Sequence, residues 1–216
     1  QSQQTQSQGQ EQSLTPQQEQ KKKEEEAKIK REQENIKKFE SLKKDVNELH
    51  SLWNSYEPKA VTAYAQPQTI LLFEGALNNL TQIIPKNDDM NGLLSSIELT
   101  KYLSDFYSLY KTDVPPELDK YRFAIKKINL LSEKESFDDA ASTYKYSEDT
   151  WSTSKPKLPK EVNTIMHKFE FALKDLKNAI NAKSKTIVSA KCEMFTTLID
   201  ELEKSIKEAK QKEEQK

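Results

Sequence analysis

The chain has very little glycine, cysteine or histidine: three, one and two residues respectively among 216. Sheet proteins turn every few residues and draw on glycine and proline to do so. Three glycines and eight prolines in this length therefore argue against a β fold. The same scarcity leaves no glycine-rich loop to cradle a phosphate and no nucleophile elbow. The single cysteine, Cys192, cannot close an internal disulfide, which fits a reducing compartment and equally a secreted protein that does without disulfides. No apolar run reaches the roughly 18 residues that a membrane span requires. Nor does one charge dominate. Lys and Arg number 34 against 35 Asp and Glu, so no global field favours nucleic acid or an anionic membrane.

What the chain does have is glutamine and interleaved charge. Charged residues make up 32%, with both signs mixed as on the solvated faces of helices, and the expected fold class is all-α. Residues 1–20 (QSQQTQSQGQEQSLTPQQEQ) are half glutamine, with Leu14 the only aliphatic side chain. Such a stretch buries too little surface to offset its ordering entropy, so residues 1–22 are expected to be a disordered tether. A polar, low-complexity spacer ahead of a helical domain resembles the segment that follows the lipidated cysteine in mature bacterial surface lipoproteins. The resemblance is to a class, covers about twenty residues, and lacks the cysteine. It implies an extracytoplasmic, cell-surface protein that meets the membrane only through an upstream anchor. The opening at Gln1 rather than Met agrees with an upstream targeting segment having been removed. The competing compartment is the cytoplasm, where charged first and last helices would suit a coiled-coil-like scaffold.

Periodicity divides the rest into helices. From Lys21, the positions Ile29, Ile36, Phe39, Leu42, Val46, Leu49 and Trp53 form one helical stripe. Glu57-Pro58 and Gln66-Pro67 are expected to bracket a loop, because the residue before proline is pushed out of the α region. Helices are then expected at about 67–84, 93–111, 117–150 (with a break near a Ser132/Glu135 capping box), 160–181 and 185–210.

The two halves resemble each other. Trp53 to Lys59 (WNSYEPK) aligns with Trp151 to Lys157 (WSTSKPK) at an offset of 98. FEGALNNLTQII (73–84) aligns with FEFALKDLKNAI (169–180) at an offset of 96 and agrees at six of twelve positions. The expectation is two repeated three-helix units, residues 23–113 and 114–216, forming helical bundles.

Candidate chemistry is sparse. Residues 87–98 (NDDMNGLLSSIE) fit the spacing of an EF-hand calcium loop, with Asn87, Asp89, Asn91, Ser95 and Glu98 in ligand slots and Gly92 at the turn. Asn87 supplies no charge at the first slot, and the aligned segment in the second half has no such loop. A polar turn ahead of a capped helix accounts for the same residues, so the expectation is no resident cofactor, with calcium as the alternative. His167 and Glu170 lie one helical turn apart, but no third metal ligand accompanies them. Cys192 sits at an apolar helix position and reads as a small buried hydrophobe.

Trp53 and Trp151, each ahead of a Pro-Lys pair, read either as plugs for the ends of their bundles or as a repeated aromatic lip. A lip would take a protein, peptide or glycan partner. The functional expectation is therefore a non-enzymatic binding or spacer module, tethered outside the cytoplasm, with a calcium- or metal-binding protein as the alternative.

Overall fold

The stripe from Ile29 to Trp53 belongs to one uninterrupted helix, α1 (Pro16–Thr62). The computed structural model describes residues 16–215, so most of the expected tether, residues 1–15, lies outside the described residues. Helix α1 starts at Pro16, which needs no N–H partner in a first turn. Residues 16–22 are thus helical and do not belong to a tether. The Lys21–Lys23 block followed by Glu24–Glu26 places opposite charges three and four residues apart, as in the Lys22–Glu26 pair at 4.0 Å.

Pro58 does not end the helix as expected. It removes one backbone donor near the C-terminus, but α1 continues to Thr62, whose Oγ1 donates to the Pro58 carbonyl at 2.8 Å, while Ala60 is fully buried. Tyr64, with φ of 65°, then turns the chain.

The first half continues with α2 (Pro67–Ile83), a short 3-10 turn (Ile84–Lys86), α3 (Asp89–Thr100) and α4 (Leu103–Tyr107). Its core contains Val46, Trp53, Leu77, Leu80, Leu99 and Phe106. Helix α3 begins earlier than expected because Asp88 caps it, accepting from the Asn91 N–H at 3.0 Å.

The expected break in 117–150 makes two helices of that segment, so the second half holds four helices and not the three of the expected repeat unit. These are α5 (Glu117–Glu133), α6 (Phe137–Ser154), α7 (Asn163–Asn181) and α8 (Lys185–Glu214). The 117–150 segment is a helical hairpin, turned at Glu135 with φ of 60°. No Ser132/Glu135 capping box forms. Ser132 lies inside α5, and its hydroxyl is buried without a hydrogen-bond partner. Trp151 to Pro159 is not a loop throughout, since α6 runs on to Ser154. Helix α5 packs against both α6 and α8, and α7 closes the bundle around a core that includes Ile128, Phe169, Leu176, Phe195 and Leu202. The two halves meet where α3 and α4 pack against α5. Lys127–Glu98 and Lys120–Asp105 ion pairs flank that contact.

Candidate functional site

Helices α1 and α3 both lie against α2 with little direct contact between them, and between them runs a groove. Its floor is Leu80, Ile84 and Val46; its walls are Leu42 and Leu49 of α1 and Gly92, Leu93 and Ser96 of α3. The cavity is about 300 Å³. A second hollow of about 240 Å³, between Ile36 and Lys43 of α1 and Pro85, continues it past Phe39 and Ile84. The lining is apolar and the rim is charged, with Lys38 and Asp89 paired at 2.7 Å across one end. Leu49 and Leu93 stand 40% and 52% exposed at its mouth, too open for core positions.

The residues in the calcium-loop spacing do not come together. Helix α3 winds residues 89–98 into a rod, so Asp89 and Glu98 are separated by about 13 Å along its axis. Asp89 pairs with Lys38, Asn91 donates its side-chain amide to Asp88, and Ser95 is buried and accepts from Asn79 at 3.1 Å. Glu98 is held by Lys127, and Asn87 occupies a left-handed turn with φ of 55°. Among the described residues no group of three or more His, Cys, Asp or Glu side chains is placed to hold a metal ion.

The tryptophans are not a lip. Trp53 is 6% and Trp151 7% exposed, each inside its own core. Trp53 lies 4.4 Å from Phe73 and donates its indole N–H to Glu74 at 3.2 Å. Trp151 lies 4.4 Å from Phe169 and donates to Glu170 at 3.1 Å. Lys155 and Trp151 hold the Glu170 carboxyl below the usual carboxylate range. His167, mostly exposed, contacts the same carboxylate at 3.5 Å.

His50 and Cys192 are both committed elsewhere. His50 Nε2 donates to Thr81 Oγ1 at 2.8 Å, because that hydroxyl already donates to the Leu77 carbonyl. Cys192 is buried, and burial pushes its thiol up to about 12, away from nucleophilic use.

The groove escaped the sequence because its shape depends on how two helices stand over a third, which no single stripe reports. Leu49 belongs to the α1 stripe by spacing, so its 40% exposure is not visible from the sequence. Comparison with family models, curated proteins and solved structures gives no match.

Proposed function

We propose that this is a non-enzymatic binding module whose working part is the α1–α3 groove, which receives an amphipathic helix. The observation that carries the proposal is the groove's construction: an apolar floor, exposed Leu49 and Leu93 at the mouth, and a charged rim. That is the pattern by which helix-in-groove recognition works, with apolar anchors every three or four residues and polar flanks.

We also read the two halves as copies. Two features support that reading beyond the Trp–Phe–Glu clusters. Left-handed residues Asn87 and Lys183 stand 96 positions apart, and each precedes an N-cap residue, Asp88 or Ser184, that accepts from the backbone N–H three residues on. Under this alignment α1, α2 and α3 correspond to α6, α7 and α8. The second half's extra helix, α5, occupies the slot between α6 and α8. The groove is the same slot in the first half.

An extracytoplasmic, surface-tethered setting rests on the glutamine-rich segment ahead of α1 and remains part of the proposal. The test of the groove is fluorescence anisotropy with a labelled Leu/Lys model helix, on the full chain carrying Ile29→Asp and Ile36→Asp, which keeps the chain's own exposed apolar pair out of the groove, and on the same chain with Leu93→Glu added. Saturable binding lost in the variant supports the reading. Equal binding to both proteins, or none to either, overturns it.

A further inference from the structure

We infer that the occupant of the groove is the projecting N-terminal half of α1 from a second copy of this chain; this rests on the reading of the groove as a helix slot. The internal template is α5. On α6 the face toward α5 buries Thr143, Ser147 and Ser154, and Ser154 hydrogen-bonds Tyr121 of α5 at 2.8 Å. At the offset of 98 the first two of these correspond to Asp45 and Leu49, both in the groove wall. On α8, buried Val188 and Cys192 correspond at the offset of 96 to Gly92 and Ser96, also in the wall. The first half therefore lacks a helix where the second half has one.

The same alignment identifies the missing element. Residues 19–35 stand where α5 (Glu117–Glu133) stands in the second half. In the second half the chain reverses at Glu135 and α5 folds back onto α6. In the first half residues 36–38 stay helical, and α1 runs straight on. The segment thus points away from its own groove. Residues 16–38 are all exposed, a rod of about 35 Å that carries Ile29 and Ile36 at 50% and 54% exposure. A helix with a polar majority and one bare apolar pair gains little from standing alone. A straight arm cannot reach its own slot but can enter that of a two-fold-related copy, which is the geometry of a swapped element.

Charge selects the antiparallel register. With Phe39 of each copy at the two-fold axis, Ile29 and Ile36 of one copy lie opposite Leu49 and Leu42 of the other. In that register Lys30 faces Glu48, Glu34 faces Lys44 and Lys38 faces Glu40, without a like-charged pair among directly opposed positions. A parallel pairing would set each of these charges against its own copy.

Sedimentation equilibrium of the full chain at low salt tests the assignment. The expected species is a dimer. Ile29→Asp with Ile36→Asp should convert it to monomer without loss of helix by circular dichroism, since both side chains are exposed in one copy. Glu34→Lys alone should weaken the dimer by about tenfold or more, and Glu34→Lys with Lys44→Glu should restore it. A chain that stays monomeric, or a dimer indifferent to Glu34→Lys and to the Ile changes, overturns the second-copy assignment. If the chain is monomeric while the Leu/Lys helix still binds in a Leu93-dependent way, the groove reading survives and only its occupant changes.

Discussion

The Trp151 indole stacks on the Phe169 ring with centroids 4.4 Å apart and planes 20° from parallel. The corresponding Trp53 and Phe73 rings keep the same 4.4 Å separation but tilt to 41°. The difference follows from what surrounds them. Phe169 is fully buried beneath Tyr121 and Phe195, whereas Phe73 is half-buried on the side of α2. The second core is closed by a full-length helix, α5, where the first has only the five-residue α4 with Phe106.

Truncating these rings should therefore have unequal effects. Phe169→Ala is expected to destabilise by about 3–5 kcal/mol, the range for a fully buried phenylalanine. Phe73→Ala should cost clearly less. Urea denaturation followed by tryptophan fluorescence checks the order, and a larger loss at Phe73 would mean that the first core is the tighter one.

Ser132 offers a change in the other direction. Its hydroxyl is buried in α5 with no partner, so removing it discards an uncompensated polar group and costs no hydrogen bond. Ser132→Ala, which also improves helix propensity, should leave thermal stability unchanged or raise it. A drop of more than about 1 kcal/mol would reveal a hydrogen bond made by that hydroxyl.

Acid should loosen the second half through identifiable groups. Lys207 and Arg122 hold the Glu203 carboxyl below its ordinary 4.5, and Lys155 and Trp151 do the same for Glu170. A depressed folded value means that this stabilisation is complete above pH 4.5 and is lost as the pH falls through the lower folded values. Melting temperatures measured across that range should fall, and the fall should flatten in Glu203→Gln with Glu170→Gln. An unchanged acid limb in the double variant would show that other groups carry it.

Calcium should leave the chain unaffected. Glu98 is engaged by Lys127, and Asp89 lies about 13 Å from it along α3, so no cage forms. Calorimetry with calcium on the wild type and Glu98→Gln should give no micromolar binding in either. Tight binding abolished by the substitution would contradict the helical geometry of residues 89–98.

The stripes along α1, α2, α7 and α8 were legible in the sequence because apolar spacing reports burial directly, as was the burial of Cys192. Pro58 misled because a proline in the last turns removes only one hydrogen bond, and the burial of Ala60 holds that end of the helix in place. The spacing of residues 87–98 does not fold as a loop because Asp88 is an N-cap that starts α3 inside it, in line with the reading of a polar turn ahead of a capped helix. The break in 117–150 falls where the Ser132/Glu135 region is expected to place it, but it is made by a left-handed Glu135 rather than by a capping box. The groove was the least legible feature. Its trace in the sequence is the offset of 98 extended back from Trp53 and Trp151 to Phe39 and Phe137, which sets the polar 19–35 segment where α5 stands.

The central claim is that the α1–α3 groove is a helix-binding slot. Its most direct test is hydrogen–deuterium exchange of the Ile29→Asp/Ile36→Asp chain, whose groove no second copy fills, with and without the Leu/Lys model helix. The account predicts added protection confined to residues 36–49 of α1 and 89–96 of α3, with α5 to α8 unchanged. Protection elsewhere, or none at a concentration where the helix is bound by anisotropy, would contradict it.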